Sequence, residues 1–313
     1  MYGAYSRDQV MMTLSAITYT SFDSLTILQE GLDAAEALQQ EYVAIWMAKD
    51  DSNLVYLVKN RLSDSYAIAI SSPVFQFDLA LLFKLSEDQG LAHQVSFPDS
   101  GGGDVKIAAG ILDTVRDIQR LSYKGTTLQQ LLSQMPEGTL VYITGHSVGG
   151  TLAGAYALQL ANNNTAGLDI IPYTFGAPNA GNSTFADLFN PISRNLRFSQ
   201  SVRTVNNKDI IPFAWHDLQG IPAIGYGDII CPIELTLCID CVARLLILAR
   251  AFYAQSPITH SLKGKIEPIE GFFQQAMYQH QHNTYLRLLG LGEITSADYS
   301  YRQQRAEALS ASL

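Results

Sequence analysis

The chain has 313 residues, of which 47% are hydrophobic and only 16% are charged, against about 25% charged residues in ordinary soluble domains. Its formal net charge of -9 disfavours nucleic acid and anionic membrane surfaces as partners, because both carry negative charge themselves. The length suits a single domain over residues 1–313 better than two small ones, and the charge makes neutral substrates the better fit.

The N-terminal sequence and the apolar runs bear on localisation. Residues 1–8 lack the basic stretch followed by an apolar core that marks a secretory signal, which leaves the cytoplasm and export by an unrecognised route both open. The longest apolar stretch, residues 241–253, is interrupted by Arg244 and Arg250 and falls short of the about 18 residues that cross a bilayer. We therefore expect no transmembrane segment.

The first part of the chain predicts two helices and then a hairpin. Residues 6–18 and 24–40 carry apolar side chains at helical spacing, which indicates helices packed over a sheet. Two β-like runs follow at residues 41–48 and 53–59, with the turn-forming residues 50–52 between them. We therefore expect a β-hairpin in this region.

The middle of the chain continues with strand-like and helix-like stretches. Residues 65–70 form a short apolar run of the kind found in a buried strand, and the unusually apolar stretch 75–83 follows it. Residues 99–103, Asp-Ser-Gly-Gly-Gly, predict a flexible loop. Residues 106–132 read as one long helix. Neither an internal repeat nor a long linker divides the sequence, so it predicts one domain.

A G-x-S-x-G pattern lies at residues 145–150, which read Gly-His-Ser-Val-Gly-Gly. A strand-like run precedes the pattern and a helix-like run follows it, which is the context of a nucleophile elbow. Such an elbow holds its serine at a strained apex, and Gly145 and Gly149 remove Cβ atoms that would collide there. The pattern predicts Ser147 as a nucleophile, and a tight packing turn is the structural alternative.

A serine nucleophile needs an imidazole base, and that base needs a carboxylate to set its tautomer and stabilise its charged form. In the elbow-bearing fold the acid follows the serine in the chain and the histidine follows the acid. Asp209 is the best acid candidate, because it comes after a β-like run and so lies at the carboxyl end of a strand. Asp217 and Asp228 are its rivals, and a surface turn is the alternative reading of Asp209.

Six histidines are candidates for the base. His93 and His146 precede or adjoin the serine and are poorly placed in this order. Four others follow it: His216, His260, His280 and His282. His282 begins a helix-like C-terminal segment, and we predict that it is the base. His280 lies two residues away and is expected to point elsewhere.

Three cysteines, Cys231, Cys238 and Cys241, form a C-x6-C-x2-C pattern. A zinc site needs a fourth ligand, for which the nearest downstream histidine is His260. A local disulfide is a second interpretation of the pattern. Buried free thiols are the interpretation we favour, so we expect no metal site.

Four segments together resemble the class 3 (fungal lipase-like) family of α/β-hydrolases. They are similar, in order, to its elbow, its next strand and turn, its acid loop and its histidine motif, at residues 145–150, 173–182, 203–212 and 282–285. The resemblance spans roughly residues 40–290. It implies the α/β-hydrolase fold, in which helices cover both faces of a mostly parallel central sheet.

The resemblance also implies a function. It implies a triad of Ser147, Asp209 and His282, esterase or lipase activity, and no organic cofactor. The implied partner is an acyl ester or lipid at a lipid-water interface. A helical lid is implied at residues 73–100, although a core helix also fits these apolar residues. The insertion at residues 215–265, which carries the cysteines, is expected to cap the acyl pocket or to form a homo-oligomer contact.

One segment departs from the family pattern, and it bears on the oxyanion hole. The family usually writes Phe-Arg-Gly followed by Ser or Thr, and the residue after the glycine donates to the oxyanion. Here residues 70–73 read Ile-Ser-Ser-Pro, and Pro73 has neither a hydroxyl nor a backbone N–H to donate. We therefore expect Ser72, after a shift of one residue, and the backbone N–H of Val148 as the two donors.

The sequence thus predicts a serine carboxylester hydrolase that works through an acyl-enzyme. Two other functions stay open. A non-catalytic lipid-binding or interaction protein could retain the fold with a damaged oxyanion site. Phospholipase or thioesterase activity would use the same triad, because the choice of head group depends on pocket shape.

Overall fold

A seven-stranded sheet forms the centre of the molecule. The computed structural model describes residues 4–20, 24–51, 53–71, 91–98, 104–190 and 198–295. The strands in this part of the chain are β1 (Tyr42–Lys49), β2 (Leu54–Asn60), β3 (Ser65–Ile70), β4 (Gln94–Ser96), β5 (Lys106–Ala108), β6 (Ser122–Tyr123), β7 (Thr126–Thr127), β8 (Leu140–His146), β9 (Asp169–Phe175), β10 (Val202–Asn206) and β11 (His260–Leu262). The central sheet has the order β1-β2-β3-β8-β9-β10-β11, and β4-β5 and β6-β7 form two small hairpin-like pairs.

The sheet is mostly parallel. Strands β1, β2 and β3 pair in antiparallel fashion, and the predicted hairpin is the β1-β2 pair. Every later pair in the central sheet, from β3-β8 to β10-β11, is parallel. The carboxyl ends of β8, β9 and β10 therefore meet at one edge, where open α/β sheets form their sites.

Helices cover both faces of this sheet, as the sequence predicts. The α-helices of the described part are α1 (Arg7–Ile17), α2 (Leu25–Ala34), α3 (Ala109–Arg120), α4 (Leu128–Leu132), α5 (Val148–Asn162), α6 (Ser183–Asp187), α7 (Ile233–Ala249), α8 (Phe272–His280) and α9 (His282–Leu288). Side chains of α3, α5 and α7 belong to one hydrophobic cluster, and those of α1, α2 and α9 belong to a second. Within β8, Val141 and Ile143 join the first cluster while Tyr142 joins the second, as period-two alternation requires.

The stretch 106–132 is not one long helix, so that prediction is wrong. It begins as β5, which pairs with β4, and only then enters α3. The backbone becomes extended at Leu121 and passes into the β6-β7 hairpin, whose two-residue loop is Lys124-Gly125 with φ values of 51° and 78°. Positive φ at both loop positions is typical of a tight hairpin turn, and glycine at the second adopts it without strain.

The insertion at residues 215–265 contains α7, which is apolar on two sides. One side packs on the core through Leu235, Ile239, Val242 and Leu246. The large apolar side chains of α7 and its flanks that are exposed are Ile230, Ile233, Leu237, Leu245, Ile247, Leu248 and Phe252. What this surface contacts stays a prediction, as does the single-domain assignment.

The three cysteines are unpaired, but the prediction that their thiols are buried is wrong for all of them. Cys231, Cys238 and Cys241 are free thiols, of which Cys241 is exposed and the other two are partly buried. The described residues include no cluster of metal-ligating side chains. No helix in the described ranges has the length and apolar character needed to cross a bilayer.

Most of the predicted lid lies outside the described residues, namely residues 73–90 and 99–100. The described remainder, residues 91–98, contains β4 and joins the core through Leu91 and Phe97.

Candidate active site

Ser147 stands between β8 and α5, at a turn that only a few backbone conformations allow. Its φ of 60° and ψ of -136° lie in a region that costs a non-glycine residue of order 1–3 kcal/mol. A Cβ on Gly145 would lie 2.2 Å from the Gly149 carbonyl oxygen, and one on Gly150 would lie 2.8 Å from the Ala177 Cβ. The strand-turn-helix geometry of an elbow is therefore present, and its glycines permit the close approach of β8 and α5.

The elbow is also tied to the neighbouring strand. The backbone N–H of Ser147 donates to the carbonyl of Phe175, the last residue of β9, at 2.9 Å. Val148 is the first residue of α5, so its backbone N–H has no acceptor within the helix and lies at the positive end of the helix dipole. This N–H is available to a negative charge that forms beside Ser147.

His280 connects Ser147 to Asp209. The His280 Nε2 lies 2.7 Å from the Ser147 Oγ, and its Nδ1 lies 2.8 Å from the Asp209 Oδ2. A carboxylate accepts only, so Nδ1 carries the proton that it donates to Asp209, and Nε2 then accepts the Ser147 hydroxyl proton. The side chain of Asp209 is fully buried, while that of His280 is 17% exposed. The three side chains thus form a continuous hydrogen-bonded row.

The buried carboxylate of Asp209 accepts three hydrogen bonds in the described structure. Besides His280, the Tyr285 hydroxyl donates to Oδ2 at 2.7 Å, and the Ile211 backbone N–H donates to Oδ1 at 3.0 Å. Burial, with the nearby Asp209 charge, holds the pKa of Tyr285 well above its usual value, so the phenol stays a donor. These donors offset the desolvation of a charge that has no exposure to water.

Long-range contacts bring His280 to this position. Asn206, at the end of β10, donates through Nδ2 to the backbone carbonyl of Gln279 at 2.9 Å. The Asn206 backbone N–H donates to the Tyr285 hydroxyl at 3.1 Å. Asn206 therefore binds both Gln279, which precedes His280, and Tyr285, which follows it. In this way the end of β10 fixes the position of His280 beside Asp209.

His282 does not lie against Ser147, so the prediction that places it there is wrong. Its ring stacks on Tyr19 with centroids 4.5 Å apart and planes 6° apart. Burial lowers the pKa of His282 to about 4. Helix α8 ends at His280, and Gln281 is extended, with ψ near 140°, before α9 begins at His282. This break turns the two imidazoles in different directions, and the contacts of Asn206 decide which of them meets Asp209.

The other titratable candidates are engaged elsewhere or exposed. His216 Nδ1 bonds the Tyr253 carbonyl at 3.0 Å, and His260 Nδ1 pairs with Asp8 at 2.5 Å. Asp217 accepts from the Gly220 backbone N–H in a 3-10 helix, and Asp228 and His93 are exposed. His146 is buried, and its Nδ1 lies 2.7 Å from the hydroxyl of Tyr19, which is far away in the sequence.

The second expected oxyanion donor, Ser72, lies outside the described residues. The strand that leads to it, β3, ends at Ile70, which pairs with Gly145 of the elbow. Ser71 is bound to the start of β2, because its N–H donates to the Leu54 carbonyl at 2.9 Å and its Oγ accepts from the Leu54 N–H at 2.7 Å.

The chain is similar to known lipases in parts of its sequence and in its fold. A model of the family Lipase (class 3) matches residues 80–217, which include Ser147 and Asp209 but not His280. A lipase of Rhizomucor miehei is 33% identical over 120 residues, which are 38% of this chain and 30% of that protein. The chain thus aligns with less than a third of that lipase's length. The crystal structure of M37 lipase superposes with a TM-score of 0.75 at 23% identity, over 92% of this chain and 93% of that one, and shows that the fold is that of an α/β-hydrolase.

Proposed function

We propose that the chain is a serine carboxylester hydrolase of the class 3 lipase family that cleaves acyl esters through Ser147, His280 and Asp209, because residues 80–217 match that family's model and a lipase of Rhizomucor miehei is similar over 120 residues. The observation that carries the proposal is the continuous row Ser147 Oγ–His280–Asp209, with donor-acceptor distances of 2.7 and 2.8 Å. Distances in this range allow direct proton transfer from the hydroxyl to the imidazole.

In the first half of the reaction, the Oγ of Ser147 attacks the ester carbonyl carbon while its proton passes to Nε2 of His280. A tetrahedral intermediate forms with a negative charge on the former carbonyl oxygen. Its collapse breaks the bond to the alcohol oxygen, which leaves with the proton from His280. The acyl group is then covalently bound to Ser147.

In the second half, water attacks the acyl-enzyme and gives a proton to Nε2 of His280. The second tetrahedral intermediate collapses by breaking its bond to the Oγ of Ser147, which regains the proton. The carboxylic acid is released and the enzyme returns to its starting state. No redox partner or metal enters this balance.

Asp209 sets the tautomer and stabilises the imidazolium that forms in each half-reaction. Its own position depends on the Tyr285 hydroxyl and the Ile211 N–H, which hold both carboxylate oxygens in place. The Asp209 carboxylate, held by these partners, can balance the transient charge on His280.

The negative oxygen of each intermediate needs preorganised donors. We propose the backbone N–H of Val148 as one of them, since it is the free N–H at the start of α5 and directly follows the nucleophile. Ser72 remains the proposed second donor on the basis of sequence. Loss of a single such donor typically lowers kcat by about 100-fold to 1000-fold, so Ser72→Ala would measure its contribution.

Covalent labelling tests the nucleophile directly. The protein is incubated with a fluorophosphonate probe in detergent, and the adduct is located by intact mass and peptide mapping. We expect one adduct per chain, on Ser147, that is absent in Ser147→Ala. Turnover of p-nitrophenyl butyrate should disappear in the same variant.

The base is tested with the two neighbouring histidines. His280→Phe should abolish labelling and turnover, whereas His282→Phe should retain both, because its ring can still stack on Tyr19. Folded protein without any labelling of Ser147 would refute the hydrolase proposal and favour a non-catalytic binding protein.

A further inference from the structure

A cluster of aromatic side chains packs beside the His280 ring. The His146 ring is 4.9 Å from the His280 ring, centroid to centroid, with planes tilted by 32°. Tyr285 packs edge-on against the same His146 ring at 5.2 Å. His146 therefore contacts both the imidazole of the row and the tyrosine that binds Asp209.

Tyr19 holds His146 from the other direction. Its hydroxyl lies 2.7 Å from His146 Nδ1 and 3.4 Å from the His146 carbonyl oxygen. Its ring stacks on His282 and meets the His146 ring edge-on at 5.6 Å. Tyr19 follows α1, so it connects the N-terminal helix to residues next to the nucleophile and next to the base.

Resting on the hydrolase function proposed above, we propose that Tyr19 is a positioning residue that acts through His146 to hold the imidazole of His280 between Ser147 and Asp209. We assign the Tyr19 hydroxyl as the donor to His146 Nδ1, so that neutral His146 carries its proton on Nε2. The bond fixes the rotation of the His146 ring, and this ring is the flat surface against which His280 packs. Neither Tyr19 nor His146 touches the reacting atoms.

The arrangement also keeps positive charge away from the base. A hydrogen bond donated to Nδ1 occupies the lone pair that a proton would take, so it favours neutral His146. The groups that face His146 are His280, His282, Tyr19 and Tyr285, and the pKa of His146 is held well below its usual value, mainly by burial and then by the neighbouring His280 and His282. A proton on His146 would oppose the imidazolium that His280 must become.

The proposal gives Tyr19→Phe a specific outcome. The variant keeps the stacked ring and removes only the hydroxyl, so we expect kcat for p-nitrophenyl butyrate to fall by about tenfold with KM unchanged, the size expected for a misplaced catalytic group. The acid limb of the kcat/KM profile should move to higher pH. The reason is that the charges of His146 and His280 interact, so the first proton that this pair takes up binds more readily when His146 becomes easier to protonate.

Two further variants show whether the effect passes through His146. His146→Phe keeps a ring beside His280 but has no acceptor for Tyr19, so it should reproduce the loss. The double variant should lose no more than either single one, because both remove the same contact. Tyr5→Phe, which removes the hydroxyl that donates to the exposed Glu36, is the matched control and should behave as wild type.

The outcomes separate this proposal from the hydrolase proposal. If wild-type Ser147 is labelled by the fluorophosphonate and Tyr19→Phe is labelled at the same rate with the same pH profile, the positioning role is overturned while the triad stands. Losses that add up in the double variant would overturn action through His146. If Tyr19→Phe does not fold, His146→Phe alone decides, since unchanged kcat and an unchanged acid limb would refute the role. Absence of wild-type labelling refutes both proposals.

Discussion

His280 and His282 are two residues apart, but their rings make different contacts. On the triad side, formed by Ser147, Asp209 and His280, the imidazole has a carboxylate on one nitrogen and a hydroxyl on the other. On the support side, formed by Tyr19, His146 and His282, the imidazole rings pack against a tyrosine, and burial lowers their pKa values.

The difference shows what makes a histidine suitable as a base. Burial alone favours the neutral form but supplies no proton donor and no partner for the charged form. A carboxylate on Nδ1 supplies that partner and also fixes the tautomer. Partial exposure and two directed hydrogen bonds distinguish His280, whereas enclosure by rings distinguishes His282.

The largest difference in activity should come from replacing each of the two histidines in turn by alanine. His280→Ala is expected to lower kcat by about 10⁶-fold, as loss of a triad base typically does, because the hydroxyl of Ser147 then has no proton acceptor. His282→Ala should change kcat by less than about tenfold, since its ring stacks on Tyr19 and is not part of the hydrogen-bonded row of Ser147, His280 and Asp209. Steady-state turnover of p-nitrophenyl butyrate measures both, and a larger loss in His282→Ala than in His280→Ala would reverse the assignment.

A smaller but still large effect is expected for Asp209→Asn. The amide can present an N–H to Nδ1 and so favour the wrong tautomer of His280, which lowers kcat by about 10⁴-fold in comparable triads. Labelling of Ser147 by fluorophosphonate should slow by a similar factor. Asp217→Asn serves as the control, because Asp217 caps a short 3-10 helix instead. Equal rates for Asp209→Asn and wild type would exclude Asp209 from the triad.

The lowered pKa of His282, on the support side, should make the free energy of unfolding depend on pH. The pKa of His282 is lowered to about 4 from an ordinary value of 6.5, so the unfolded chain takes up this proton at higher pH than the folded one. His282 therefore stabilises the fold above pH 6.5, and this contribution is lost as pH falls from 6.5 to 4, with no further change below. The loss amounts to at most about 3 kcal/mol.

Urea unfolding at pH 7 and pH 4.5 tests this effect. His282→Phe removes the titrating group and keeps a ring on Tyr19, so the free energy of unfolding should fall less with acidification than in the wild type. Buried His146 should still contribute to the fall that remains, because its pKa is lowered as well. If the free energy of unfolding depended on pH in the same way in wild type and His282→Phe, the proton affinity of His282 would differ little between the folded and the unfolded chain.

The smallest effect is expected for Tyr285→Phe, which removes one of three donors to the Asp209 carboxylate. A hydrogen bond to a charged group contributes about 1.5–3 kcal/mol, so a loss of about tenfold in kcat is expected while Ile211 and His280 still hold the carboxylate. Stopped-flow acylation or steady-state kcat measures it. A loss as large as that of Asp209→Asn would mean that Tyr285 also fixes the orientation of the carboxylate.

The elbow and the β1-β2 hairpin were predictable from the sequence because each is formed by one short stretch of the chain. The elbow could be predicted because the pattern Gly145, Ser147 and Gly149 lies between a strand-like and a helix-like run and permits a direct turn from one into the other. The hairpin of β1 and β2 followed from alternation and turn residues. The long-helix prediction for residues 106–132 was wrong, since the Lys124-Gly125 turn signal lay inside an otherwise helix-like pattern.

The choice between the two histidines could not be made from the sequence alone. The stretch Gln279-His-Gln-His282 has no local feature that marks either imidazole for Asp209. The choice depends on the side chain of Asn206, more than 70 residues earlier, which bonds Gln279, and on Tyr19, from the other end of the chain, which stacks on His282.

By itself the sequence determined the elbow, because a strand that turns directly into a helix depends on backbone sterics and on residues close together in the chain. The α/β-hydrolase fold was implied by the resemblance of four sequence segments to a known family, and the position of Asp209 after the elbow followed from the order of residues in that fold. Only the tertiary structure decided that His280 completes the row, that Tyr285 and Ile211 hold Asp209, and that Tyr19 reaches His146. These contacts join residues far apart in sequence, and their geometry exists only once both faces of the sheet are packed.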